Sequence, residues 1–136
     1  MGVVVFDSDV LIGFLNRDDA QHGAAVERLR ASMAPGGRRL LCAVNYAEIM
    51  VGPVRAGRQA QELVSQMLVQ FNIETIMVDM GLAGRAAAVR ARTGLKLPDA
   101  FALATALHAE HQGWGNVELA SFDEAVLKAH AELRPN

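Results

Sequence analysis

Four carboxylates stand where an apolar, strand-like run gives way to a helix. They are Asp7 after Val3-Val4-Val5-Phe6, Glu48 after Leu40-Leu41-Cys42-Ala43-Val44, Asp99 within Leu97-Pro98-Asp99-Ala100, and Asp123 after the run from Val117 to Phe122. One acid at such a junction is ordinary, because the positive end of the helix dipole favours it. Four acids on one edge of a sheet would repel one another unless a positive charge sat between them. An all-oxygen donor set suits a hard divalent cation, Mg²⁺ or Mn²⁺. The chemistry that follows is phosphodiester hydrolysis: a bound ion lowers the pKa of its water and screens the phosphate, and hydroxide attacks in line. No side-chain nucleophile is needed.

The elements that must position these acids are legible in outline. Val3 to Phe6 is short, continuous and β-branched, as expected of a central strand buried on both faces. Val10 to Leu15 predicts a short helix, and Asp18 or Asp19 is placed to cap a second one, with Ala25, Val26, Leu29 and Met33 inward, stopped by Pro35-Gly36-Gly37. Leu40 to Val44 reads as a second strand, and the helix from Asn45 as broken by Gly52-Pro53. A long amphipathic helix covers Gln59 to Phe71, with Leu63, Val64, Met67, Leu68 and Phe71 on one side. Glu74 to Val78 is a third strand and Gly81 to Arg92 a helix. Pro98 opens a helix that runs to about His111, Val117 to Ala120 is a fourth strand, and Asp123 to His130 a last helix. The tail, Ala131 to Asn136, is expected to fray or to add an edge strand. Two consecutive helices separate the third and fourth strands. If the Asp99 helix is to start at the carboxyl edge of the sheet, Thr93 to Leu97 must carry the chain back there.

Alternating strands and helices predict an α/β fold, a three-layer α/β/α sandwich around a central parallel sheet of four or five strands. With 136 residues, about half of them apolar (51%), the chain is expected to form one globular domain over residues 1–136. No apolar run is long enough for a membrane span, and no basic segment or cleavage site announces secretion, so the expected location is cytoplasmic. The single cysteine, Cys42, excludes an internal disulfide and reads as a small buried hydrophobe. Net charge is −2, so there is no global basic character. Arg85, Arg90, Arg92 and Lys96 nevertheless precede Asp99 without an intervening acid, and Arg55 and Arg58 follow Glu48. Such cations would let a polyanion approach an acidic site, or are simply solvated helix faces.

Functional crevices in open parallel sheets lie at the carboxyl ends of the strands. Strands about 4.8 Å apart allow side chains from adjacent ends to share one ion. Each acid also has a bland reading: Asn45-Tyr46-Ala47-Glu48 and Ser121-Phe122-Asp123-Glu124 look like capping boxes, and Asp99 suits a first helical turn. Asp79 serves as a control; it follows an outer strand and reads as a helix cap only. His108-Ala109-Glu110-His111 could grip zinc, but no third ligand is evident and an exposed helix end explains it. Met67 and Met77 look like core filling, and Trp114 is a loop anchor or an interface residue.

The ordered set Val4-Val5-Phe6-Asp7-Ser8-Asp9-Val10-Leu11-Ile12, Asn45-Tyr46-Ala47-Glu48-Ile49, Leu97-Pro98-Asp99-Ala100 and Ala120-Ser121-Phe122-Asp123 resembles the PIN-domain family, whose small bacterial members include the VapC-type toxins. The resemblance spans nearly the whole chain. It implies a Mg²⁺- or Mn²⁺-dependent ribonuclease, a homodimer, an RNA substrate such as tRNA, and a cognate antitoxin that blocks the acidic site. By motif position it makes Asp7, Glu48, Asp99 and Asp123 the metal-binding catalytic carboxylates, with Ser8 and Ser121 as supporting hydroxyls. The chain departs from the family pattern in three places. Ser121 stands where threonine is more common, Ala125 replaces a further acid beside Glu124, and Asp9 is an extra acid that either reaches the metal or caps the following helix.

Two other readings stay open at this point. Phe6-Asp7-Ser8-Asp9-Val10-Leu11 also resembles the first motif of haloacid-dehalogenase-like phosphatases, in which the first aspartate is a covalent nucleophile. The third reading is a non-catalytic module that binds RNA or a partner, against which the cost of keeping clustered acids without an ion argues.

Overall fold

The computed structural model describes residues 2–135. Its elements are β1 (Gly2–Phe6), α1 (Ser8–Leu15), α2 (His22–Ala31), β2 (Arg38–Cys42), α3 (Ala43–Ala56), α4 (Arg58–Gln70), β3 (Ile73–Ile76), α5 (Met80–Thr93), α6 (Leu97–His111), β4 (Asn116–Ala120) and α7 (Glu124–Leu133). The strands form one parallel sheet in the order β3-β2-β1-β4, so β1 is central and β3 an edge, as expected. Among the described residues the sheet has four strands. Ala131 to Leu133 finish α7 rather than adding a fifth, and Asn136 lies outside the described residues.

Strand alternation sorts the core into two faces. Val3, Val5, Leu40, Cys42, Val117 and Leu119 face α5, α6 and α7. Phe6, Leu41, Ile73 and Ala120 face Val10 and Leu11 of α1, Leu29 of α2, Ile49 of α3 and Met67 of α4. The result is the α/β/α sandwich. α6 buries Ala100, Ala102, Ala104, Ala106 and Ala109 around Leu103, small side chains that let its backbone lie close to the sheet.

Several local expectations are corrected. β2 ends at Cys42, and Val44 is already helical. α3 runs on through Gly52-Pro53 to Ala56, although the proline can supply no amide hydrogen to the ladder. The helix ends instead at Gly57, whose φ of 121° suits glycine. Neither Asp18 nor Asp19 caps α2; the cap position is Gln21, and Asp19 accepts the Gln21 amide one turn earlier. Met33, Leu63 and Met77 are exposed rather than core.

The connection between α5 and α6 also differs. Only Gly94, Leu95 and Lys96 separate the two helices, with Gly94 left-handed at φ 75°, so they form a tight helical hairpin. α5 therefore ends where α6 begins, and Met77 to Asp79 lead from β3 into α5. Asp79 caps α5, accepting the Leu82 amide at 2.8 Å, as expected of the control residue.

Sequence patterning gave no hint of Arg39. Its buried guanidinium donates to the carbonyls of Phe71, Ser32 (2.7 Å) and Gly37 (3.3 Å). Ser32 and Phe71 are the C-caps of α2 and α4, so one cation satisfies the orphan carbonyls and the negative dipole ends of two helices.

Candidate active site

The winding of the sheet reverses between β1 and β4, and the acidic residues meet at the carboxyl ends of these strands. The Asp7 amide donates to the Ala120 carbonyl at 2.9 Å, one rung beyond the ladder, which sets Asp7 beside Ser121. Asp7 is 1% exposed. Its Oδ1 accepts the Ser8 amide and its Oδ2 the Ser121 hydroxyl, both at 2.9 Å. Burial, then the charges of Asp9 and Asp99, push its pKa up to about 7 against the pull of those two hydrogen bonds.

The other acids surround it. Asp9 does not cap α1; Asp7 holds that position. Oδ2 of Asp9 accepts the Phe122 amide at 2.9 Å and lies 3.4 Å from the Ser121 hydroxyl, pinning α1 to the loop after β4. Its Oδ1 is buried with no hydrogen-bond partner. Burial raises the Asp9 pKa, and Asp123 adds to the rise. Asp99, in the first turn of α6, is half-buried. Burial raises its pKa first, followed by Asp123, Glu48 and Asp9, while Lys96 opposes them.

Glu48 is half-buried on α3, and the Ser8 hydroxyl donates to its Oε1 at 2.5 Å. Asp123 is exposed and caps α7 through the Ala125 amide at 2.9 Å; its own amide donates to Ser121 Oγ at 3.0 Å. The acids predicted from sequence, together with Asp9, thus form one electrostatically coupled group; Ser8 and Ser121 link Asp7, Asp9, Glu48 and Asp123 by hydrogen bonds, and Asp99 joins through its charge.

Among the described residues, no three Asp, Glu, His or Cys side chains already close on one point as a finished coordination shell. Like charges repel, so such acids stand apart when no cation lies between them; Asp99 and Glu48 are half-buried and Asp123 is exposed around the buried Asp7. The donor chemistry fits a hard divalent ion: every candidate ligand is a carboxylate oxygen, and Asp9 Oδ1 is buried without a partner.

Both capping-box readings are corrected. α3 begins at Ala43, so Asn45 is inside the helix, and Asp123 rather than Ser121 caps α7. Asn45 was missed as a site residue. Its fully buried amide donates to the Pro98 carbonyl at 3.0 Å and lies 3.5 Å from Glu48. The usable signal was its spacing, because residues three apart share a helix face.

The flagged cations divide. Lys96 acts on Asp99, Arg90 holds the α5–α6 turn through the Leu95 carbonyl at 2.7 Å, and Arg85 and Arg92 line an outer groove with Leu107, His111 and Leu133. Arg55 and Arg58 are exposed where α3 meets α4. Trp114 is a loop anchor, edge-on to His108 at 5.4 Å and covered by the Arg38 guanidinium at 4.7 Å. No described helix is long and apolar enough to cross a membrane.

Ser121 links Asp7, Asp9 and Asp123, which makes its removal informative. Ser121→Ala should destabilise the protein by about 1–3 kcal/mol, the cost of stripping a buried acceptor of its donor. Urea unfolding should show a larger loss at pH 8 than at pH 5, because the missing hydrogen bond served the charged form of Asp7.

The sequence matches the PIN domain family over residues 4–133. Three solved structures share the fold. A chain of a toxin–antitoxin complex from Klebsiella pneumoniae is 27% identical with a TM-score of 0.59, covering 90% of this chain and 87% of that one. VapC20 of Mycobacterium tuberculosis, a toxin that cleaves the sarcin–ricin loop, is 22% identical with a TM-score of 0.67, over 99% and 100% of the two chains. A chain of VapBC2 from Rickettsia felis, bound to a fragment of its promoter DNA, is 11% identical with a TM-score of 0.59, over 89% and 100%. No curated protein matches the sequence significantly.

Proposed function

From the premise that this chain belongs to the PIN-domain family, we propose that it is a metal-dependent endoribonuclease and the toxin of a type II toxin–antitoxin pair. The observation that carries this reading is the group of coupled acids at the β1–β4 switch point, with a buried Asp7 driven to a pKa of about 7. In this reading residues 1–136 are one PIN-like nuclease domain. Asp7, Glu48, Asp99 and Asp123 hold Mg²⁺ or Mn²⁺, and Ser8, Asp9 and Ser121 support them. A bound ion supplies the activation of water and the screening of the phosphate.

The chain's own residues do the rest. Ser121 orients Asp7 through Oδ2, and Ser8 orients Glu48 through Oε1. Asp9 fixes the loop from which Asp123 projects, by accepting the Phe122 amide. Lys96, exposed beside Asp99, offers a positive charge to the backbone of an incoming RNA. A cognate antitoxin that blocks the acidic edge is supported by the toxin–antitoxin complexes among the structural neighbours. A structured RNA such as tRNA as substrate, a homodimer and a cytoplasmic location complete the reading.

The phosphatase alternative is not favoured. Both Asp7 oxygens are buried and already accept hydrogen bonds, and the charges that act on it are acids, with no cation opposing them as a phosphatase lysine would. A non-catalytic module is not favoured either, since nothing in such a role would offset the repulsion of the acids.

Incubation of the purified protein with total RNA tests the proposal. Cleavage should require Mg²⁺ or Mn²⁺, stop in EDTA, and leave ends without a 2′,3′-cyclic phosphate, because water rather than the ribose hydroxyl attacks. Undiminished cleavage in EDTA, or a stable aspartyl-phosphate with a phosphomonoester, would overturn it.

A further inference from the structure

We infer that Asn45 is a positioning residue: its side-chain amide ties Glu48 on α3 to the backbone at the start of α6, and so sets how Glu48 and Asp99 face each other. The inference rests on the reading of these acids as an ion-holding set and assigns a role to a residue outside that set.

Asn45 is fully buried. One Nδ2 hydrogen is donated to the Pro98 carbonyl at 3.0 Å, and the other points toward Glu48 Oε1 at 3.5 Å. Pro98 is covalently joined to Asp99, and its carbonyl has two lone pairs, so the helix ladder and Asn45 can share it. The Glu48 oxygen that Asn45 approaches also accepts the Ser8 hydroxyl. Two neutral donors from different elements therefore converge on one carboxylate oxygen.

The orientation of the amide is fixed by chemistry. Reversing it would aim Oδ1 at two oxygens, whereas the observed orientation leaves Oδ1 buried without a partner. An unpaired buried carbonyl is a penalty that a small apolar side chain would avoid. The asparagine contributes something no apolar residue could, a two-pronged donor spanning the gap between the Glu48 and Asp99 elements. α3 and α6 pack directly on each other here, so this bridge fixes their spacing at the acidic edge rather than at a remote point.

The test compares wild type with Asn45→Ala, Asn45→Ser and Asn45→Asp, reading Mn²⁺ affinity from the EPR signal of free Mn²⁺ and kcat and KM on RNA. Asn45→Ala should bind Mn²⁺ about tenfold more weakly and lose about tenfold or more in kcat, the usual effect of removing an outer partner of a metal ligand. KM should stay unchanged, because the buried amide does not meet RNA. Asn45→Ser keeps one donor and should recover part of the loss. Asn45→Asp has no donor and adds charge beside Glu48, and should fall below alanine.

A merely structural role would lower the melting temperature in all three variants while leaving the ion affinity of the folded protein intact, and that result would overturn the inference. So would Asn45→Ala within about twofold of an active, Mn²⁺-binding wild type. If the alanine variant fails to fold, the serine variant carries the same comparison. Wild type that neither binds Mn²⁺ nor cleaves RNA overturns the ion-holding reading itself, a failure visible without any variant.

Discussion

Asp7→Asn should abolish RNA cleavage, with a loss on the order of 10³-fold or more, while the chain stays folded. The asparagine oxygen can keep the Ser8 amide, and the Ser121 hydroxyl can rotate to accept from the new NH₂ group instead of donating. What disappears is the one candidate ligand that is fully buried and rigidly held. The same substitution should stabilise the ion-free protein above pH 7. A carboxylate moved from 3.8 to about 7 carries a strain that approaches about 4 kcal/mol once it is fully ionised, and a neutral amide carries none of it. Loss of activity together with gain of ion-free stability separates a functional acid from a structural one. Cleavage within about tenfold of wild type would contradict the role given to Asp7.

The second large effect is a dependence of stability on both pH and divalent ion. Asp7, Asp9 and Asp99 all have raised pKa values in the folded chain. Between the ordinary carboxylate range and about pH 7, the folded state therefore binds more protons than the unfolded state. Stability in EDTA should fall as pH rises through that window and level off above it. The exposed Arg38–Glu74 pair, in which Glu74 is held below its usual pKa, works the other way at lower pH and is screened by solvent. Subtracting the Asp7→Asn curve from that of wild type isolates the Asp7 contribution. Mn²⁺ at a hundredfold excess over its Kd should add about 2.7 kcal/mol at pH 8, or about 10 °C in Tm, and much less at pH 5, where protons compete. A Tm shift equal at both pH values would contradict ion binding by these acids.

The parts of the fold legible from sequence were those set by hydrophobic period. β1 as the central strand, the order of elements and the outward place of β3 with Asp79 as a cap all follow from local patterns. Asp7, Asp99 and Asp123 were legible for the same reason, since each follows a strand or stands in a first helical turn, whereas Glu48 lies more than a turn into α3 and reaches the site through the packing of that helix. What escaped depended on tertiary partners. Arg39 drew no reading from the sequence, because nothing local shows that three carbonyls from two helix ends and a turn await it. Asn45 looked like a cap because the start of α3 was placed two residues late, beyond the apolar run that the helix in fact begins in. Gly52-Pro53 looked like a break because a proline costs a backbone bond, and sequence does not show the packing against other elements that keeps α3 whole. The α5–α6 hairpin was misplaced because a left-handed glycine turn spans only three residues where a longer return was expected.

The most direct test of the central claim is a crystal of this protein soaked in Mn²⁺ at pH 8 and measured for anomalous scattering. The expected result is a peak at the carboxyl end of β1, coordinated by oxygens of Asp7 and Asp99, and absent from Asp7→Asn crystals treated in the same way. A saturating soak that places manganese elsewhere, or leaves Asp7 and Asp99 without a shared ion, would contradict it.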